Sequence, residues 1–114
     1  MYDCVLVEDD ELVHLTWQIA AERAGVRLLI LPSAEAAVRQ ILSLPSDTPV
    51  YIDVRLRGAM SGEQLAQRLH RDGFSRLFLQ TGYDPASIPV QAMPWLQGVV
   101  GKEPPWSSPA QTER

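Results

Sequence analysis

The chain has 114 residues, 46% hydrophobic and 21% charged, with a formal net charge of −4. That length supports one domain around one core, and the acidic balance argues against a nucleic-acid partner, which calls for a basic patch. No apolar stretch is long enough to span a membrane, and the start, MYDCVLVEDD, lacks the basic-then-apolar order of a secretory signal.

The elements follow in chain order. Cys4 to Val7 is a short apolar run closed by acids and predicts a buried strand. The lone cysteine, Cys4, lies in that run and reads as a small buried hydrophobe, suited to a reducing cytoplasm. Glu11 to Ala24 has helical periodicity with two adjacent apolar stripes. Leu12, Leu15, Thr16, Ile19 and Ala20 form one, and Val13, Trp17, Ala21 and Ala24 the other. Gly25 predicts the stop. Residues 26–31 predict a second strand, and Ser33 caps a second helix through Leu44. Residues 50–53 predict a third strand. Ser61 opens a third helix, with Gln64 placed for a capping box and Gly73 beyond its end. Residues 76–80 and 98–101 predict strands four and five. Between them, Pro85, Pro89 and Pro94 limit any helix to one or two turns. Residues 103–114 form a proline-rich tail without an apolar stripe.

Alternating strands and helices predict an α/β fold, a doubly wound five-stranded parallel sheet. In such sheets the site lies beyond the carboxyl ends of the strands. Glu8, Asp9 and Asp10 close the first strand, Asp53 the third, Thr81 and Gly82 the fourth, and Lys102 follows the fifth. Clustered carboxylates repel and raise one another's pKa. A hard divalent ion with oxygen ligands, Mg²⁺ above all, relieves that repulsion. Metal, ammonium and hydroxyl together favour the oxygens of a phosphoryl group. One carboxylate in line is then a nucleophile, and an aspartyl phosphate its product. Each piece alone has a plainer reading: an acidic helix start, a capping Asp, a Thr-Gly turn, a solvated lysine. Their joint occurrence, in order and each at its own strand end, favours the site.

The stretches VLVEDDELV, YIDVRLRGAMSGEQLAQRL, LFLQTGYD and VVGKEP resemble the receiver domain of two-component response regulators, from residue 2 to about Lys102. The resemblance implies a flavodoxin-like receiver over residues 1–102, with 103–114 as tail. It implies that Asp53 is the phospho-acceptor, that Glu8, Asp9, Asp53 and the Arg55 backbone carbonyl hold Mg²⁺, that Thr81 is the switch hydroxyl and that Lys102 pairs with a phosphoryl oxygen. Gly82 fits the small residue that leaves access to the site. Arg55 and Tyr83 flank the site, and Asp10 takes no metal role. The implied partner is a phosphohistidine on a histidine kinase or phosphotransfer protein, in the cytoplasm. The chain would be a single-domain switch, shuttle or sink rather than a turnover enzyme.

The departures concentrate late in the chain. Receivers carry Tyr or Phe three residues before the lysine, where Val99 stands here, and Glu103 separates Lys102 from Pro104. Helix four is shortened, and helix five is missing or degenerate. A receiver without a fifth helix leaves one sheet face and the flank of helix one in need of cover. Val13, Trp17, Trp95 or Trp106 would then serve a dimer or partner surface through helix one and the C-terminal region. Alternatively the tail folds back with Trp106 plugging the gap, or Trp17 packs in the monomer core beside a disordered tail. Two other functions compete: a degenerate receiver acting as a phosphorylation-independent interaction or dimerisation module, and an aspartyl phosphatase. Arg55 stands where such phosphatases often place a second Asp, which disfavours the last.

Overall fold

The strands β1 (Cys4–Val7) and β3 (Val50–Asp53) are buried along their whole length, as expected of strands covered on both faces. The computed structural model describes residues 1–82 and 85–107. Its sheet is five-stranded and parallel, in the order β2-β1-β3-β4-β5, with β2 at Leu28–Leu31, β4 at Leu77–Gln80 and β5 at Gly98–Val100. The helices are α1 (Glu11–Ala24), α2 (Ala34–Gln40) and α3 (Gly62–Arg71).

Local chemistry fixes the helix ends. Asp10 caps α1, its carboxylate accepting from the Leu12 N–H, so the acid given no metal role is the cap. Gly25 ends α1 at φ +70°, a conformation that favours glycine. The Ser33 hydroxyl accepts from the Ala36 N–H at the start of α2. Ser61 and Gln64 complete the expected capping box on α3. Past Gln40 the expected second helix tightens into a 3₁₀ turn, Ile41–Ser43, and Leu44 is extended. Pro45 accounts for this, since a residue before proline is pushed out of the helical region. Strand β2 begins at Leu28 rather than Val26, because the Val26 N–H is spent on the Ala21 carbonyl.

The two sheet faces are covered differently. One carries Val5, Val7, Val50, Ile52, Leu77 and Leu79 and packs with α2 and α3 residues such as Ala37, Leu65 and Leu69. The other carries Cys4, Leu6 and Tyr51 and packs around Trp17 of α1, with Phe78, Val100 and Trp106 at its margin. On this second face Trp17 stacks at a tilt on Tyr51, Tyr51 lies parallel to Phe78, and Trp106 meets Trp17 edge-on. Burial pushes the Cys4 thiol up to about 12.

The expected shortening of helix four is seen as two 3₁₀ turns, Pro85–Ser87 and Val90–Ala92. After β5, the described residues hold a single 3₁₀ turn, Pro105–Ser107. Buried Pro104 and half-buried Trp106 lie against α1 there, so the described part of the tail folds back. Tyr83 and residues 108–114 lie outside the described residues.

Of the two readings of Trp17, a partner surface or the monomer core, the structure takes the second: it is 0% exposed. Of the two stripes on α1, the one with Val13, Trp17 and Ala21 turns to the sheet, and Leu12, Leu15 and Ile19 face solvent. Trp95 is half-buried and stacks on His70 of α3, centroids 4.4 Å apart. Among the described residues no helix is long and apolar enough to cross a membrane.

Candidate functional site

The carboxyl ends of β1, β3 and β4, with the residues after β5, form one acidic edge. Glu8 directly follows β1 and is 1% exposed; Asp53 closes β3 at 3%. Among the described residues, Glu8, Asp9 and Asp53 form a group in which one oxygen from each lies within 4.8 Å of the others. Lys102 enters from the far side. Its Nζ is 2.6 Å from Glu8 Oε1 and 2.8 Å from Asp53 Oδ1. The residues expected to converge from the ends of β1, β3 and β5 therefore do so.

Neighbouring backbone shapes these acids. The Arg55 N–H donates to Asp53 Oδ1, and the Asp10 N–H to Glu8 Oε2. Asp9 accepts from the Arg57 N–H and pairs with the Arg57 guanidinium at 3.5 Å. Arg57 itself is exposed, so this pair contributes little stability. Thr81 is buried one residue past β4, its N–H on the Val100 carbonyl. It shares a cleft of about 210 Å³ with Val54, Arg55, Glu63, Ser87 and Ile88. Gly82 is exposed, and a Cβ there would meet nothing within 4 Å, which leaves the approach open.

The electrostatics follow from burial and charge. Burial pushes the Glu8 carboxyl up, the hydrogen bond from Lys102 pulls it down, and nearby Asp53 pushes it up again; the net shift is upward. For Lys102, burial alone would lower the ammonium's pKa. The hydrogen bonds and charges of Asp53 and Glu8 outweigh it, and the net shift is again upward. Two buried carboxylates thus share the Lys102 ammonium, and among the described residues Asp9 beside them pairs only with exposed Arg57. The donor set fits a hard divalent cation: carboxylate oxygens, close together and short of positive charge. Glu8, Asp9 and Asp53 would hold it.

Sequence reasoning missed three supporting residues. Gly62 opens α3 against β3, and a Cβ there would lie 2.1 Å from the Asp53 carbonyl oxygen. Only glycine lets the helix start this close to the strand end. Its one sequence signal is a glycine at the first position of a helix. His14 meets the Glu8 carbonyl through Nε2, and Trp17 donates its indole N–H to the Lys102 carbonyl at 2.9 Å. Both sit six or more residues from their partners in sequence, so only the fold reveals them.

The sequence matches no family model and no curated protein. Solved structures are similar over nearly the whole chain. The N-terminal domain of a response regulator/sensory box/GGDEF protein from Carboxydothermus hydrogenoformans aligns at TM-score 0.75 and 22% identity, covering 96% of this chain and 86% of that one. A response regulator protein from Thermotoga maritima, solved in complex with Mg²⁺-BeF, aligns at TM-score 0.76 and 17% identity, covering 99% and 95%. A CheY-like receiver domain protein from Methanospirillum hungatei aligns at TM-score 0.74 and 18% identity, covering 96% and 86%. The chain has the doubly wound, flavodoxin-like fold of response-regulator receiver domains.

Proposed function

We propose that the protein is a phospho-receiver: Asp53 accepts a phosphoryl group from a phosphohistidine on a histidine kinase or phosphotransfer protein. The observation that carries this reading is Lys102 bridging Asp53 and Glu8 at 2.8 and 2.6 Å within a three-carboxylate cluster. Receiver fold and a cation-fitting donor set support it.

The chemistry follows from the chain's own groups. A carboxylate oxygen of Asp53 attacks phosphorus in line with the P–N bond of the donor. The new O–P bond forms as the P–N bond breaks, and the electron pair leaves on the imidazole nitrogen, which takes up a proton. Lys102, already on Asp53 Oδ1, is within reach of an oxygen of the group attached there. Thr81 lines the adjoining cleft and offers its hydroxyl as a second partner. Mg²⁺ held by Glu8, Asp9, Asp53 and the Arg55 carbonyl would supply charge neutralisation. The transfer ends on the protein, so the chain is an acceptor, with water later releasing the group.

Incubation with acetyl phosphate and Mg²⁺, followed by intact-mass spectrometry, tests this. One phosphoryl group per chain is expected, dependent on Mg²⁺ and lost in Asp53→Asn. Val99 in place of an aromatic ring, with Leu12, Leu15 and Ile19 exposed on α1, favours a second reading as an interaction module without phosphorylation. A folded wild-type chain that takes no phosphoryl group decides for that second reading.

A further inference from the structure

Lys102 has an unusual problem of placement. Strand β5 is only three residues long, and its last ladder contact is the Thr81 N–H on the Val100 carbonyl. Next comes Gly101, exposed and without a side chain, the residue least able to fix a backbone. Lys102 then has to deliver its ammonium between two buried carboxylates.

Side chains from the sheet and α1 take over where the strand ends. Gln80 Nε2, fully buried, donates to the Gly101 carbonyl at 3.3 Å. Trp17 Nε1 donates to the Lys102 carbonyl at 2.9 Å. The indole packs against Tyr51 and Trp106, with ring centroids 5.4 and 5.1 Å away. One turn earlier on the same helix, His14 Nε2 meets the Glu8 carbonyl. Helix α1 thus grips the main chain at both ends of the Glu8–Lys102 ion pair.

We propose that Trp17 is a positioning residue for phosphoryl transfer, acting through Lys102: its indole N–H fixes the main chain from which the ammonium reaches Asp53. The proposal rests on Asp53 being the phospho-acceptor. Nothing in it requires Trp17 to touch phosphate or metal. Its effect depends on the ammonium being there to place.

That dependence supplies the test. The initial rate of Mg²⁺-dependent phosphorylation by acetyl phosphate is measured for wild type, Trp17→Phe, Lys102→Ala and the double variant. Losing one positioning hydrogen bond should slow Trp17→Phe about three- to tenfold, while in the Lys102→Ala background the same change should slow nothing further. Leu65→Ala removes packing from the opposite face of the sheet and leaves the Trp17 cluster intact, so it should lower the melting temperature and leave the rate unchanged. If Trp17→Phe does not fold, 3-benzothienylalanine at position 17 keeps the shape of tryptophan and lacks only the N–H. A wild-type rate in the folded N–H-deficient protein overturns the inference, as does equal slowing with and without Lys102. A wild-type chain that is never phosphorylated overturns the functional reading, and this inference with it.

Discussion

The two faces of the sheet solve the same problem with different means. The α2–α3 face is closed by aliphatic side chains from two helices, Leu65, Leu69 and Ile41 among them. Among the described residues, the α1 face has one helix and a single turn after β5, and closes with rings: Trp17, Tyr51, Phe78 and Trp106. Rings bury large areas per residue, so a few of them cover what a helix would cover with many side chains. The cost is concentration. On the aliphatic face many residues share the load, whereas on the aromatic face Trp17 joins helix, sheet and the residues after β5.

Truncations sharpen the contrast. Trp17→Ala should destabilise by about 3–5 kcal/mol, as expected for a fully buried tryptophan, and should loosen the residues around Lys102 as well. Leu65→Ala on the opposite face should cost about 2–5 kcal/mol and leave that segment alone. Urea denaturation gives both energies, and hydrogen exchange at the residues after β5 shows whether only the first variant frees them. Equal protection in the two variants would mean that the faces do not differ in this way.

Gly62→Ala tests the seam between α3 and the site. The added methyl meets the Asp53 carbonyl at 2.1 Å, so the helix start has to move, at about 1–3 kcal/mol as in other overpacked positions. Chemical shifts at Asp53 and Val54 should move with it. Ser61→Ala, one residue earlier, removes half of the capping box and should cost about 1 kcal/mol. The two together separate loss of a cap from a clash with the strand.

The acidic edge makes a prediction with a sign. Lys102 is raised above its ordinary pKa. Its contribution is therefore whole below about pH 10.4, the ordinary lysine value, and is lost as pH rises through the folded value. Lys102→Met should flatten the alkaline limb of a stability–pH curve. Glu8 is also raised, first by burial. A carboxyl raised on folding adds stability as pH falls through its folded value toward the ordinary one, about 4.3. Glu8→Gln should then stabilise the metal-free chain at neutral pH, and a lower midpoint in urea would contradict it. The smallest effect belongs to the exposed stripe: Leu12→Ser, at a residue 74% exposed, should change stability by no more than about 0.5 kcal/mol.

Much of the fold and of the acidic edge is legible in the amino-acid sequence. Strand runs and capping residues announce the alternation, and the acids, Thr81 and Lys102 sit where parallel topology gathers them. Trp17 is not legible in the same way. Two stripes on α1 are almost equally apolar, and periodicity says that a helix has a face without saying which of two adjacent faces meets the sheet. The answer comes from Tyr51, Lys102 and Trp106, 34 to 89 positions away along the chain. Gly62 escapes for a related reason. A single glycine carries no sign of the backbone it will approach, and only the distance to Asp53 explains it.

Cys4 draws a practical consequence from the aromatic face. It lies among Leu6, Trp17 and Tyr51, with its thiol held up to about 12. At neutral pH it offers almost no thiolate and, at 5% exposed, little surface to a reagent. The chain therefore carries its own latch indicator: an alkylating label at Cys4 would record each opening of that one face, and the pace of labelling would tell how often Trp17 lets go.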